Sequence, residues 1–254
     1  MHLLIIGCEY AGKQTLASHI SRWLIEKMGE KVVRWHDHFV VPKLDQHTIF
    51  RSEGDSSINN SDSDHWSVIG KNAHDQLTNE DEQQILTLRP TVLEQLQRHN
   101  IWRHLHHGLF QNEDLLFINH YYADAVYAPL YYGYGEDGSF ADRRDRARAW
   151  DSELLTSGPG ITLVLVRADP QIVKDRLEAA PRASSILKSV DIDHVINRFD
   201  EEYHHSLLPR KFLLDTSEPS PQSTFEKFID NIKPFLTQYD MKRLEDHSRV
   251  ENAQ

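Results

Sequence analysis

The stretch Gly7-Cys8-Glu9-Tyr10-Ala11-Gly12-Lys13-Gln14-Thr15 follows the apolar run Leu3-Leu4-Ile5-Ile6 and opens a segment in which Leu16, Ile20, Trp23, Leu24 and Met28 recur at three- and four-residue steps. A short buried strand, a glycine-bearing turn and an amphipathic helix in that order form the frame of a phosphate-binding loop. Gly29, directly after the last apolar residue of the repeat, is a natural helix stop. The plain alternative is a glycine turn in front of an ordinary helix, which the position between a buried strand and a helix disfavours.

The spacing has a chemical reason. Glycines at 7 and 12 let successive backbone N–H groups turn inward, and the helix that follows adds its positive end, so residues 7–15 offer a polyphosphate a nest of donors. Lys13 neutralises the outer phosphates. The hydroxyl that holds magnesium usually follows the lysine at once, yet Gln14 stands there and Thr15 comes one residue later. Either Gln14 faces away and Thr15 is the Mg2+ ligand, or the metal is held weakly; Thr15 is the favoured reading.

Composition sets outer limits. A chain of 254 residues buries a full core as one α/β domain with an insertion more readily than as two domains. A net charge of −11 and a pI of about 5.8 argue against nucleic acid or an anionic membrane as partner. Mean hydropathy of −0.58 is low for an α/β protein and assigns part of the chain to loop or tail. The single cysteine, Cys8, forms no internal disulfide, fits a reducing cytoplasm and reads as packing within the loop. The apolar N-terminal run is too short for a secretory signal, and no apolar run is long enough to span a bilayer.

Further apolar runs over residues 31–35, 115–118, 161–166 and 212–215 predict four more strands, with helices near 87–111, 140–156, 170–179, 191–206 and 221–238. Continuous apolar strands alternating with helices predict a mostly parallel five-stranded sheet covered on both faces, with ligands gathered at the carboxyl ends of the strands. Residues 51–84 are rich in Ser, Asn, Asp, Glu and Gln and read as a polar insertion or lid, with disorder the stronger expectation. Residues 241–254 form a charged C-terminal tail, frayed or a solvent-facing helix, after a single domain over 1–240.

With these features in view the chain resembles the thymidylate kinase and deoxynucleoside kinase group of P-loop kinases. The resemblance covers most of the chain outside the insertion, at the level of motif order. The family's loop pattern, G-x-D-x-x-G-K-[ST]-T, carries an acidic residue where Glu9 stands. Residues 118–128 resemble the third-strand stretch and its small-residue helix, residues 163–170 are similar to the fourth strand and the Asp-Pro helix start, and residues 214–217 look like the loop beside the adenine. The resemblance implies a P-loop NTPase three-layer α/β/α sandwich and ATP with Mg2+ as cofactors. It also implies a nucleoside or nucleoside monophosphate as small-molecule acceptor, and the family often forms homodimers. Residue by residue, it makes Glu9 a holder of the acceptor, Arg176 the first lid arginine and Arg182 a second. Tyr121 to Tyr134 reads as either pocket wall or interface.

One departure stands out. Where the family has an acidic residue followed by arginine, this chain has Asn119 and His120. A guanidinium forks across phosphate oxygens and is always charged, whereas histidine is a single donor whose charge follows pH. Arg143, Arg144, Arg146 and Arg148 are possible substitutes; a solvated helix face paired with Asp142, Asp145 and Asp151 is the expected assignment for most of them. Asp37, at the end of the second strand, stands close to where deoxynucleoside kinases place a catalytic carboxylate, suited to accept a hydroxyl proton. The alternative there is metal binding by His36 and His38, for which no third ligand is evident. Three functions follow: phosphoryl transfer to a nucleoside or nucleotide, a nucleotide-binding sensor with little transfer, or a kinase of a non-nucleotide metabolite.

Overall fold

A computed structural model of the chain describes residues 1–37, 47–51, 68–69, 79–103, 105, 114–158, 160–182, 185–218 and 220–251. Its strands are β1 (His2–Ile6), β2 (Val32–Asp37), β3 (His47–Arg51), β4 (Val68–Ile69), β5 (Leu115–Ile118), β6 (Thr162–Arg167) and β7 (Lys211–Asp215). They form one sheet in the order β4-β3-β2-β5-β1-β6-β7. The five strands from β2 to β7 pair in parallel, as the apolar runs predict, and β3 and β4 add antiparallel to the β2 edge. β1 lies at the centre with Leu3, Leu4, Ile5 and Ile6 wholly buried. That double-sided burial is why its sequence is a continuous apolar run rather than an alternation.

The helices are α1 (Lys13–Met28), α2 (Asn79–Leu86), α3 (Pro90–Arg103), α4 (His120–Tyr127), α5 (Arg143–Ser157), α6 (Pro170–Ala179), α7 (Ile192–His205), α8 (Pro221–Ile232) and α9 (Gln238–Glu251). α1 packs against β1, β2 and β5 and carries α8 and α9 on its outer side, while α4 and α7 contact β1 and β6 and are joined by α5 and α6. Two helical layers around a parallel sheet result. Local sequence sets several boundaries: Gly29 ends α1 at φ 72°, Asp142 caps α5 by accepting from the N–H groups of Arg144 and Asp145, and Asp169 with Pro170 opens α6.

Some elements go beyond what hydrophobic periodicity alone predicts. α4 is buried along all eight residues and continues into a π-helical turn over Ala128–Tyr132 that contains Pro129. A helix buried all round shows no amphipathic repeat, so periodicity passes over it. The antiparallel strands β3 and β4 are likewise absent from the reading of five runs; of the polar insertion at 51–84, only Arg51, β4 and the first residues of α2 lie within the described residues. The C-terminal segment is helical as far as Glu251 and is docked, not frayed: Arg243 bonds Asp240, Asp114 and Glu30 and so ties α9 to the C-terminal end of α1 and the entry to β5.

Candidate active site

The loop between β1 and α1 owes its shape to close approaches that the sequence allows. Gly7 adopts φ 148° and runs so near β6 that a Cβ would sit 2.1 Å from the carbonyl oxygen of Val166. Gly12 at φ 94° caps α1. Between them Tyr10 takes φ 62°, a left-handed conformation uncommon for a bulky residue. Lys13 folds across the loop, its Nζ donating to the carbonyls of Gly7 at 2.8 Å and Cys8 at 2.6 Å. The Ala11 carbonyl accepts from the Thr216 hydroxyl at 2.7 Å, which fastens the loop to the segment after β7.

Cys8 and Glu9 face inward. Burial pushes the Cys8 thiol up to about 12, opposed by Lys13, so the thiol is inert packing, as its place in the loop suggests. The Glu9 N–H donates to the Tyr127 hydroxyl at 3.1 Å. Burial raises the Glu9 carboxyl above its ordinary range, against the Ser185 hydroxyl, Lys13 and the N–H groups of Ile186 and Leu187, which favour the charged form. Its Oε1 is buried and has no hydrogen-bond partner among the described residues.

A cleft of roughly 520 Å³ opens in front of the loop, lined by Glu9, Tyr10, Gly12 and the first turn of α1, Lys13 to Thr15. Asn119 enters from the end of β5, Arg176 and Arg182 from α6 and the residues beyond it, and Thr216 and Thr224 from the far side. Arg176 donates from Nη1 to the Tyr10 carbonyl at 3.1 Å and from Nη2 to the Thr216 carbonyl at 2.7 Å. The Arg182 N–H donates to the Tyr10 hydroxyl at 3.0 Å, and its guanidinium lies 5.1 Å from the centre of the Tyr10 ring. Of the residues that the sequence singles out, Glu9, Lys13, Gln14, Thr15, Arg176 and Arg182 therefore meet at one cleft. Asp37 closes β2 and pairs in register with Ile118, next to Asn119, but its side chain, like His38, lies outside the described residues. No cluster of three His, Cys, Asp or Glu ligands exists among the described residues.

The pair at 119 and 120 divides. Both residues have positive φ, 65° and 46°, at the turn from β5 into α4. Asn119 lines the cleft, and its buried Oδ1 has no hydrogen-bond partner among the described residues. His120 turns the other way: it is 1% exposed, with its ring 5.0 Å from those of Phe117 and Tyr121. It therefore occupies core rather than the place of a phosphate-binding arginine. Nor does the arginine segment supply one. Arg143 is fully buried between Asp124 at 2.5 Å and Glu94 at 3.0 Å, an exception to the solvated face expected for most of the four arginines. Arg144 pairs with Asp137 and Glu201, and Arg148 with Asp151 and Glu202; none of the three lines the cleft.

Sequence reasoning counts Tyr10 within the loop, Thr216 within the stretch beside the adenine and Tyr127 within a stretch that is pocket wall or interface, but it gives none of these three side chains a role of its own. Only the placement of an aromatic inside a glycine-bearing loop hints at the first, because left-handed backbone at a non-glycine residue leaves no mark in the sequence.

No protein-family model matches the chain, and no curated protein matches its sequence. Among solved structures, a deoxyadenosine kinase from M. mycoides with the products dCMP and dCDP is 13% identical, with a TM-score of 0.51 over 93% of this chain and all of that one. The same enzyme with dATP bound is 13% identical, with a TM-score of 0.50 over 92% of this chain and all of that one. At that identity the likeness is one of architecture: the chain has the P-loop kinase α/β fold.

Proposed function

We propose that this protein is a phosphotransferase that passes the γ-phosphoryl group of ATP to a nucleoside or nucleoside monophosphate. One observation carries the reading: a glycine-shaped loop, its lysine and two arginines of a separate element converge on a single cleft at the carboxyl ends of parallel strands. Such a site works by positioning and charge neutralisation. The backbone donors of residues 7–15 cradle the donor phosphates, and Lys13 exchanges the carbonyls of Gly7 and Cys8 for phosphate oxygens. Arg176 and Arg182 close on the same phosphates from the α6 side. Thr15, exposed at the first turn of α1 and lining the cleft, suits Mg2+, which supplies neutralisation of phosphate charge when bound. Glu9, with an unpaired buried oxygen, and Asp37 at the end of β2 orient the acceptor hydroxyl.

The same reading carries a single kinase-like domain over residues 1–240 and a small-molecule acceptor as partner. A homodimer and a cytoplasmic setting belong to it as well. Among the described residues no helix is long and apolar enough to cross a membrane. A second reading, a nucleotide-binding sensor with little transfer, is favoured by the burial of His120, which leaves the cleft without a guanidinium at the end of β5.

The test is ADP release from Mg-ATP across a panel of nucleosides, nucleoside monophosphates and small metabolites, with Lys13→Ala run in parallel. A Lys13-dependent signal with one acceptor is expected. A flat panel with measurable ATP binding would transfer the assignment to the sensor.

A further inference from the structure

Tyr10 occupies a position in the loop from which it can act on the rest of the cleft in two ways at once. Its left-handed backbone, φ 62°, aims its carbonyl toward α6, where Arg176 Nη1 donates to it at 3.1 Å. Its side chain stands under the residues that follow α6: the hydroxyl accepts the Arg182 N–H at 3.0 Å and the ring backs the Arg182 guanidinium at 5.1 Å. Tyr10 as a whole is buried, 7% exposed. A second tyrosine anchors the far end of the same segment. The Tyr131 hydroxyl accepts the Lys188 N–H at 3.3 Å and donates to Asp191 at 2.9 Å. The Tyr131 ring stacks on Tyr127, whose own hydroxyl accepts the Glu9 N–H. Both anchors thus return to adjacent residues of one loop, Glu9 and Tyr10.

We propose that Tyr10 is a positioning residue that couples the phosphate-binding loop to the arginines facing it, so that the place of Arg176 and Arg182 over the cleft is set by the conformation of the loop. Any shift of the loop backbone moves the Tyr10 carbonyl and ring together, and with them the hydrogen bond to Arg176 and the support beneath Arg182. His120 is packed in the core and Arg143 is buried between the carboxylates of Asp124 and Glu94, so Arg176 and Arg182 are the guanidinium groups lining this cleft among the described residues. Their alignment therefore decides how well an anion is held. The coupling stands on these contacts; its consequence for nucleotide rests on the phosphotransfer reading.

Two variants separate the contributions. Tyr10→Phe keeps the ring and removes the hydroxyl; Tyr10→Gly removes the side chain while suiting the left-handed backbone. Trypsin cuts after Arg182 in proportion to how often that segment opens, and after exposed Lys242 on α9 as an internal control. In nucleotide-free protein, cutting after Arg182 is expected to rise about fivefold in Tyr10→Phe, the loss of one hydrogen bond, and roughly tenfold or more in Tyr10→Gly, with Lys242 unchanged. Equal cutting in all three proteins, or a parallel rise at Lys242, would overturn the coupling. The functional arm is a calorimetric cycle with Mg-ATP. Tyr10→Gly and Arg182→Ala should each weaken binding, and the double variant should be no weaker than the poorer single one. Additive losses would overturn the positioning role. If the native chain binds no Mg-ATP, the phosphotransfer reading fails, while the proteolysis arm still decides the coupling.

Discussion

Gly7 and Gly12 look alike in the sequence and differ in what surrounds them. A methyl at Gly7 would meet the Val166 carbonyl at 2.1 Å, whereas the atoms nearest to one at Gly12 lie 3.9 Å away. Gly12→Ala therefore carries mainly the left-handed backbone penalty, about 1 to 2 kcal/mol, while Gly7→Ala adds overlap with a fixed strand and should cost about 3 kcal/mol or more. Urea denaturation of the two variants measures the difference, and equal losses would mean that β6 does not set the Gly7 geometry. At Cys8, a buried thiol held at about 12 is protonated throughout the neutral range. Alkylation of native protein at pH 8 should run roughly 100-fold or more slower than in urea, because the thiolate is the reacting form; comparable rates would show that the loop opens freely. The glycines, Lys13 and the thiol were legible in the sequence because covalent structure fixes what each can do. Asn119 and His120 were legible only as a departure from a pattern. Which of the two faces the cleft depends on the backbone turn after β5 and on the ring stack around Phe117, neither of which a linear sequence states.

At the level of elements, β1, β5 and β6 were readable because double-sided burial writes an uninterrupted apolar run, whereas β7 at the sheet edge alternates buried and exposed residues. α4 was legible only through the family resemblance of residues 118–128, because burial on every side erases helical periodicity, and of the arginine segment Arg143 is the wholly buried exception to a face expected to be solvated for most of it. Arg143 instead bridges α4 and α3 through Asp124 and Glu94, under the ring of Tyr134, whose hydroxyl donates to Asp124 at 2.6 Å. Breaking such a buried pair from one side costs about 3–5 kcal/mol, since the partner charge stays behind, so Arg143→Met should be strongly destabilised. Its pH dependence follows from Asp124. Burial raises that carboxyl above its ordinary range, and Arg143 and Tyr134 pull it back. Without the arginine the raised value goes higher. A raised carboxyl contributes stability below its unfolded value and loses it as pH climbs through the folded one. The defect in Arg143→Met, followed by urea midpoints, should therefore be smaller near pH 4.5 than at pH 8. A defect that is flat with pH would mean that Asp124 keeps a counter-charge from elsewhere.

Across the whole molecule the cleft and the charged terminal helix lie at opposite ends of the central strands. The cleft sits where β1 and β5 end; α9 is tied where they begin, through Asp114 ahead of β5 and Asp240 on α9 itself. This second site holds stability rather than ligand. Burial works against the Asp240 carboxylate, yet the N-terminal ammonium, the Thr237 hydroxyl and N–H, and Arg243 bring it down to about 2. A carboxyl depressed on folding contributes stability above its unfolded value and loses it as pH falls through the folded one. For Asp240 that window runs from about pH 4 down to about 2, and the contribution is about 2 kcal/mol. Asp240→Asn removes the charge and with it the dependence. Urea midpoints of the native protein and the variant should be well separated at pH 6 and draw together as pH falls toward 2, while cutting by trypsin after Arg182 at pH 7 stays the same in both. Convergence in acid without change at the cleft would assign acid sensitivity to the terminal helix, so that α9 can be loosened while the phosphate loop keeps its form. A constant separation down to pH 2 would mean that the amide keeps the hydrogen bonds but loses something other than charge, and that the acid transition of this chain begins at another carboxylate.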